Sequence, residues 1–337
     1  MAKRIGKRTI QLESKPGIVS FASVVGGKEG VGPLKKGFDE VSADSYFGQE
    51  SWEKAETTML SRCLSRCLEK GDGLKPDCIL GGDLLNQCVS SAFAVRDRSM
   101  PYLGLYGACS TMAEGLGLAA LLIDGGGINS ALAFTGSHFC AAERQYRFPL
   151  EYGGQRTPTS QWTVTGAGAV LLARESDSLR ITHVTPGRVV DAGITDANNM
   201  GAAMAPAALD TILAHFDDLN RSFDDYDAVF TGDLGAIGHD ILQDLLQREG
   251  LSPGLKYMDC GVLIYDLLTQ DVHAGGSGCG CSASVLAAHI LPAMERGVWR
   301  RVLFAGTGAL MSPLTCQQGE SIPGVCHAVT IERRESV

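Results

Sequence analysis

The residues best suited to chemistry lie around Cys109, in the stretch 101–125. Apolar residues run up to Gly107, and Thr111 with Glu114 forms a capping-box pattern that predicts an apolar helix beginning just after the cysteine. A thiol at such a strand-to-helix elbow faces unpaired backbone N–H groups and the positive end of the helix dipole, which favours a nucleophilic or anion-contacting thiolate. The alternative is a buried cysteine that fills a tight turn.

His138 is a second candidate, because it directly follows a strand that ends at Gly136. Ligand sites of α/β folds gather at the edge of the sheet where such strands end, so we expect His138 to line a pocket. The remaining histidines that we considered stand in ordinary strand or helix contexts, where a structural role is expected. They are His183, His215, His289 and His327. His239, which follows a Gly-rich turn and precedes an apolar helix, is a weaker candidate for which a role at the helix start is favoured.

Two familiar motifs are rejected as cofactor or metal sites. The segment 115–120 matches the dinucleotide-binding glycine pattern, but it lies inside the predicted helix, and no acidic residue ends a following strand. Cys279 and Cys281 are separated by one residue, and no second pair or nearby histidine supplies zinc-ligand spacing. We therefore expect neither a dinucleotide cofactor nor a bound metal.

Composition excludes several function classes. The 337 residues carry a net charge of −9 and no basic stripe interleaved with aromatic residues, which argues against nucleic acid as a partner. The eleven cysteines occur in a long chain without an apolar signal segment, so reduced thiols in a cytoplasmic compartment are expected. No apolar run reaches the length of a bilayer-spanning helix, so we expect any membrane association to be peripheral.

The chain contains an internal repeat of strand, Gly-Asp-Leu, elbow, helix and strand. The first copy joins a helix at 53–70, capped by Ser51, to strands at 78–82 and 131–136 and the elbow at Cys109. The second copy joins a helix at 206–216 to strands at 228–232 and 302–306 and an elbow at 278–281. The pattern predicts an α/β fold of two related halves, 1–185 and 186–337, with both elbows at one central pocket.

These residues resemble the thiolase superfamily, which includes the ketoacyl synthases. The resemblance implies two pseudo-symmetric halves in a five-layered arrangement, with Cys109 at the nucleophile position and Cys279 where a synthase has its catalytic asparagine. The synthases' histidine-containing turn should fall between Asp233 and His239, and no matching string is present. The catalytic set therefore looks incomplete, although an acyltransferase that uses Cys109 stays the alternative function.

Uncommon strings along nearly the whole chain also resemble the stage V sporulation protein AD family. They are Asp83–Asn86, Gly107–Thr111, Ala142–Arg147, Glu151–Gln155, Ala203–Ala207, Asp259–Gly261 and Ala274–Cys279. This resemblance implies a dipicolinic acid (pyridine-2,6-dicarboxylic acid) binding protein of the SpoVA membrane complex. Because the catalytic set looks incomplete, we expect a binding protein and not an enzyme. It implies action in dipicolinate uptake into the forespore and in release at spore germination. The implied location is cytoplasmic or forespore-side, peripherally associated with the spore inner membrane.

We expect the ligand to lie between the two elbows, in contact with Cys109, His138, Arg144 and Cys279. Dipicolinate is flat and carries two carboxylates, which Arg144 or Arg147 could bind through a guanidinium fork, unless these arginines form surface ion pairs instead. Calcium could accompany the ligand as a chelate. A purely structural subunit with an inert pocket stays open as a third possibility. A homodimer formed through the sheet edge near 83–89 is also expected, as thiolase-like proteins usually are dimers.

Overall fold

The structure is a computed structural model that describes residues 2–146, 156–175 and 179–334. The described residues form fifteen strands and ten α-helices. The strands are β1 Lys3–Ile5, β2 Thr9–Gln11, β3 Gly17–Gly26, β4 Glu40–Ser42, β5 Cys78–Gly82, β6 Tyr102–Gly104, β7 Ser130–Ser137, β8 Trp162–Thr163, β9 Gly166–Ala173, β10 Leu179–Thr185, β11 Ala228–Thr231, β12 Tyr257–Asp259, β13 Gly276–Ser277, β14 Arg301–Ala309 and β15 Gly324–Arg333. The helices are α1 Trp52–Lys70, α2 Val89–Val95, α3 Thr111–Asp124, α4 Phe139–Tyr146, α5 Met200–Leu219, α6 Gly235–Arg248, α7 Cys260–Leu263, α8 Cys279–Val285, α9 Leu291–Glu295 and α10 Pro313–Gln317.

One strand arrangement occurs twice along the main sheet. The order β6-β5-β7-β9-β3 is followed by β10-β15-β14-β11-β12, and corresponding neighbours pair in the same parallel or antiparallel sense. The two sets meet at a short antiparallel contact, in which Leu179 pairs with Ile18 and Arg180 with Gly17. The second set begins with β10 at Leu179, ahead of the predicted boundary between 185 and 186. The division into halves 1–185 and 186–337 stays a prediction.

Successive residues of a strand pack on opposite faces of the sheet, in different hydrophobic clusters. These clusters lie between the five layers of the fold. Leu132 and Phe134 of β7 pack in the cluster beneath α1, whereas Ala131 and Ala133 join the central cluster around α3 and α8. In the second set, Leu303 of β14 packs beneath α5 and α6, and its neighbours join the central cluster. The layers are therefore α1 with α2, the first strand set, α3 with α8, the second strand set, and α5 with α6.

Glycines allow α8 to lie directly against the first strand set. A Cβ atom on Gly280 would approach the Gly166 carbonyl oxygen to 2.2 Å, and one on Gly168 would approach the Ala283 carbonyl oxygen to 2.3 Å. Side chains at these positions would push the helix away from β9. Because α8 carries the second elbow, this close contact helps to position that elbow.

The helix predicted at 53–70 is confirmed with its cap. Ser51 Oγ accepts a hydrogen bond from the Lys54 N–H, Gly71 follows the last residue, and Cys63 and Cys67 are buried as predicted. The predicted start of the fifth helix at Pro206 is wrong. That helix begins at Met200, where Asn199 accepts the Ala202 N–H, and Pro206 lies inside it. Asparagine is as strong an N-cap as serine, which explains the earlier start.

Candidate functional site

A cavity of about 480 Å³ opens beside Cys109. Its lining comes from loops, strand ends and helix residues that follow strands of both sets. It includes Cys109 of the first predicted elbow and Ser277, which directly precedes the second, but none of residues 278–281. The described residues that line it are Asp83, Leu84, Leu85, Asn86, Gln87, Cys88, Tyr106, Ala108, Cys109, Glu143, Gln145, Tyr146, Gln161, Thr163, Ala197, Asn198, Met200, Met204, Ser277, Ala309, Leu310, Met311, Ser312 and Pro313.

Cys109 sits in a short 3-10 turn, Ala108–Ser110, that leads into α3. Ala108 has a positive φ of 50°, and this strained conformation turns the chain sharply between β6 and the helix. The predicted capping box does not form at the N-terminus of α3. The Thr111 hydroxyl instead donates to the Ala108 carbonyl oxygen, and the Ser110 hydroxyl donates to that of Gly107. The elbow itself is therefore present, with a different local hydrogen-bond pattern.

The environment of Cys109 does not favour a thiolate. The residue is 8% exposed, and burial raises the pKa of its thiol well above the usual value, with the nearby Asp233 carboxyl adding to the increase. The Gly278 N–H opposes the shift only in part. The expected lowering of the thiol pKa by the helix dipole is thus outweighed by burial and by a carboxyl neighbour.

Asp233 is the partner of Cys109 that the sequence interpretation missed. Its fully buried carboxyl accepts hydrogen bonds from the Thr307 hydroxyl at 2.9 Å, the Gly278 N–H at 2.9 Å and the Ser277 hydroxyl at 3.1 Å. Burial raises the Asp233 pKa to about 7. The Gly-Asp-Leu string at 232–234 was visible in the sequence, but we used it only to recognise the repeat.

The two cysteines of the second elbow are buried in the protein interior. Cys279 donates its S–H to the Gly136 carbonyl oxygen at 3.2 Å, and Cys281 donates to that of Gly232 at 3.8 Å. Cys279 lies near enough to Cys109 to raise the pKa of its thiol, yet it is not on the cavity surface. A direct ligand contact by Cys279 therefore lacks support from the geometry.

His138 does not line the cavity, contrary to the sequence-based expectation. Its ring Nε2 is 2.7 Å from the Ser45 carbonyl oxygen, and its backbone N–H donates to the buried Glu56 carboxylate at 3.0 Å. Burial lowers the pKa of the imidazole. His239 is also elsewhere, on α6, with its ring stacked 4.5 Å from the ring of Tyr257. Both histidines have structural surroundings.

Arg144 does not line the cavity but a neighbouring pocket, which shares Leu85, Asn86 and Gln145 with it. Its guanidinium pairs with Glu53 and lies 5.3 Å from the ring centroid of Trp52. The ion-pair alternative is therefore the arrangement observed for Arg144. Arg147 and the string Glu151–Gln155 lie outside the described residues.

Neutral amides supply much of the polar surface of the cavity. Asn86 and Gln145 are joined by two hydrogen bonds, one from the Asn86 N–H and one from the Gln145 side-chain amide. Next to them, Gln87 and Cys88 have positive φ angles of 61° and 49°. Strained backbone clusters where function requires a fixed geometry, so this turn marks the cavity as a candidate ligand site. The lining also contains the methionines Met200, Met204 and Met311.

The comparisons with known proteins identify the family. A model of the family described as stage V sporulation protein AD (SpoVAD) matches residues 6–332. The chain is also 45% identical over 333 residues to stage V sporulation protein AD of Bacillus subtilis strain 168, with 98% of each protein covered. The chain belongs to the stage V sporulation protein AD family. A role in sporulation follows from membership of the SpoVAD family.

Solved structures confirm the thiolase-like α/β fold. The chain superposes on 3-oxoacyl-(acyl carrier protein) synthase III, FabH, of Pseudomonas aeruginosa PAO1 with a TM-score of 0.56 and 14% identity, covering 96% of this chain and 99% of FabH. OleA of Xanthomonas campestris gives a TM-score of 0.61 and 13% identity, covering 96% of this chain and 97% of OleA. At this identity the likeness shows the fold of this SpoVAD family member and not its chemistry.

Within residues 2–146, 156–175 and 179–334, no helix combines the length and the apolar character needed to cross a bilayer.

Proposed function

We propose that this SpoVAD family member binds dipicolinic acid in the cavity beside Cys109. The binding would serve dipicolinate uptake into the forespore and its release at germination, with the chain held at the inner membrane by other SpoVA subunits. The observation that carries the proposal is the pairing of Cys109 with Asp233. A thiol whose pKa is raised by burial and by a neighbouring carboxyl is poorly suited to attacking a ligand, which favours binding over acyl transfer in the cavity that Cys109 lines.

Acyl transfer requires an activated nucleophile together with an acid–base partner and an oxyanion site. Burial and Asp233 raise the pKa of the Cys109 thiol, so ionising it is unfavourable. His138 is bonded to Ser45 and Glu56, and His239 stacks on Tyr257, so neither imidazole can serve Cys109 from its place in the structure. We therefore expect no acyl adduct on Cys109 by intact mass after incubation with acyl-CoA.

The size and lining of the cavity support a small ligand with both polar and apolar parts. A volume of about 480 Å³ falls within the range of small-molecule pockets. Amide side chains and backbone of the strained 86–88 turn offer hydrogen bonds, while the thioethers of Met204 and Met311 offer polarisable contacts to an aromatic ring. An aromatic acid such as dipicolinate matches this combination.

Calorimetric titration with dipicolinate, with and without calcium, tests binding. Protection of Cys109 tests the location, because a ligand in the cavity should shield its thiol from a small methanethiosulfonate reagent. Peptide mass spectrometry should show slower Cys109 labelling in the presence of dipicolinate, with unchanged labelling of Cys140, which does not line the cavity. Absence of binding, or binding without Cys109 protection, would contradict the proposal.

A homodimer is also proposed, with one correction to its position. The strand at the end of the sheet is β6, Tyr102–Gly104, whereas Asp83 is buried and the residues that follow it line the cavity. Leu103 of β6 is 46% exposed at this edge, which supports a contact with a second copy there. Light scattering at micromolar concentration should give the mass of a dimer, and Leu103→Lys should shift it to that of a monomer.

A further inference from the structure

A second groove, of about 670 Å³, lies between α1 and the segment 93–98. Its lining comes from α1, from that segment and from Glu40. In the described parts of the chain, it shares no lining residue with the cavity beside Cys109. The groove is therefore a separate place at which this chain could bind a ligand.

The half-buried guanidinium of Arg98 is fixed in this groove by neutral acceptors. Its Nε donates to the Ala94 carbonyl oxygen at 3.3 Å, and its Nη2 donates to the Ser61 carbonyl oxygen at 2.8 Å. Among the described residues no carboxylate pairs with it, and burial lowers the pKa of the guanidinium without an opposing negative charge. A positive charge partly removed from water and lacking a counter-ion favours an anion beside it.

Three donor groups remain unused around this guanidinium. Arg98 Nη1 is accessible and makes no hydrogen bond to the described residues. The Ser61 and Ser65 hydroxyls accept hydrogen bonds from Arg98 Nη2 at 3.2 and 3.0 Å, and within the described ranges neither donates its own O–H. Because both hydroxyls contact the same nitrogen, the unused donors lie close together, with no protein acceptor for them.

The other charges of the groove do not neutralise Arg98. The described lining carries four arginines and three carboxylates, which are Arg62, Arg66, Arg96, Arg98, Glu40, Glu69 and Asp97. Glu40 pairs with Arg62 at 3.0 Å and with Arg66 at 2.6 Å, and Asp97 pairs with Arg96 at 3.4 Å. The excess positive charge of the groove is therefore located at Arg98.

We propose that this groove binds a phosphate monoester, held by Arg98, Ser61 and Ser65. The three terminal oxygens of a phosphate monoester match the three unused donor groups, and its charge of about −2 complements the guanidinium. A carboxylate has only two oxygens and would leave one donor group unsatisfied. This site is independent of the cavity proposed for dipicolinate.

The groove also has room for the organic part of such a ligand. Its volume of about 670 Å³ is much larger than a phosphate group, and the ring of Phe93, 49% exposed, belongs to its lining. An exposed aromatic ring next to the donors offers an apolar contact to the group that the phosphate esterifies. Phenyl phosphate, which joins a monoester to an aromatic ring, is therefore a suitable soluble probe.

Calorimetric titration of the whole chain with phenyl phosphate at neutral pH and low salt tests the site. Arg98→Met keeps an apolar stem but removes the charge and the donors, so the affinity should fall by at least about tenfold. Arg174→Met removes an arginine that also donates to a backbone carbonyl oxygen, that of Ile123, but does not line the groove, and should keep the affinity. Equal affinities of Arg98→Met and the unaltered chain would overturn the proposal.

Replacing both Ser61 and Ser65 by alanine tests the hydroxyls without removing the arginine. Alanine is the best helix former, so α1 should be retained, and the affinity for phenyl phosphate should fall by at least about threefold. If Arg98→Met fails to fold, this double variant decides alone, and an unchanged affinity would refute the site.

Vesicles distinguish a lipid headgroup from a soluble phosphate monoester. Phosphatidylcholine vesicles that contain phosphatidic acid present a monoester at a membrane surface, and those that contain phosphatidylglycerol present a phosphate diester as the control. Cosedimentation with the phosphatidic acid vesicles that is lost in Arg98→Met would support a lipid ligand, and binding of phenyl phosphate alone would support a soluble one. Absence of binding to both probes would refute the proposal and leave the dipicolinate cavity unaffected.

Discussion

The two Gly-Asp-Leu corners of the molecule occupy equivalent places in the strand repeat but have different partners. Asp83 follows β5, and its carboxylate accepts the N–H groups of Leu85 and Ser91, so it fixes the turn and helix that come directly after it. Asp233 follows β11, and its carboxyl bonds to Ser277, Gly278 and Thr307, which belong to distant segments. One aspartate serves local structure, and the other organises the candidate site.

A carboxylate on the strand next to β11 explains why Asp233 does not have to hold the backbone that follows it. Gly81 pairs with Gly104 of β6, and the equivalent Thr231 pairs with Asp259 of β12. The Asp259 carboxylate accepts the Leu234 and Gly235 N–H groups at 2.9 Å each and so caps α6. The first set has only glycine there. In a duplicated fold, one aspartate can thus bond to residues of the candidate site when a second carboxylate, on the neighbouring strand, caps the helix that follows.

The largest expected effect comes from removing that second carboxylate. Asp259→Ala leaves four backbone N–H groups, three of them buried, and the Thr231 hydroxyl without the carboxylate that accepts from them, so the free energy of unfolding should fall by about 3–5 kcal/mol. Asp83→Ala should cost about 2 kcal/mol, because it affects fewer donors. Urea unfolding measures both, with the exposed Asp97→Ala as a control. Equal losses for Asp83 and Asp259 would contradict the division of roles.

The titratable side chains buried by the outer helices of the two sets should affect stability differently in acid. Helix α5 buries His215 between Thr185 and Tyr226, and burial lowers the His215 pKa to about 3, whereas α1 buries the thiols Cys63 and Cys67. The unfolded chain binds a proton at His215 below about pH 6.5 and the folded chain does not, so this contribution to stability is lost as pH falls from 6.5 toward 3.

The loss through His215 should reach about 2 kcal/mol at pH 5. Comparing urea midpoints at pH 7.5 and pH 5 should show a smaller acid-induced loss for His215→Gln than for the unaltered chain. Cys63→Ala should retain the full loss.

The raised Asp233 pKa of about 7 changes stability in the opposite direction, because the stability that comes from the protonated carboxyl is lost as pH rises toward 7. That contribution is common to all three proteins and cancels in the comparison. A parallel pH response of all three would exclude His215 as the cause.

The smallest expected effect concerns the reactivity of Cys109. Asp233→Asn removes the carboxyl that raises the Cys109 pKa, so alkylation by iodoacetamide should accelerate by about three- to fourfold for each unit by which the pKa falls, because the thiolate fraction rises tenfold while the thiolate becomes less nucleophilic. Asp83→Asn should leave the rate unchanged. In the unaltered chain, Cys109 should still react faster than Cys63 and Cys67, since only Cys109 of the three lines the cavity. Mass spectrometry of the labelled peptides measures all of these rates, and equal acceleration by both substitutions would show that Asp233 is not the specific partner.

The repeat and the position of Cys109 could be predicted because they depend on local patterns. Strand-glycine corners, a serine cap and a cysteine before an apolar helix are all visible within short windows of sequence. Partners in the site were not visible in this way. The position of His138 after a strand correctly placed it at a sheet edge, but Ser45 and Glu56, which bond to it, come from distant segments. Arg144 was similarly placed near the cavity, while Glu53 determines where its guanidinium points.

The residues that line the cavity are spread along most of the chain, so the binding site forms only when the chain is nearly complete. Residues from Asp83 to Pro313 contribute, in stretches separated by long intervening segments, and the Asp233 carboxyl gathers donors from residues 277, 278 and 307. Such non-local contacts form late in folding, because closing the long loops between them costs entropy before any contact repays it. An emerging or truncated chain would therefore have no binding site, and a ligand that binds the finished cavity would stabilise the molecule as a whole.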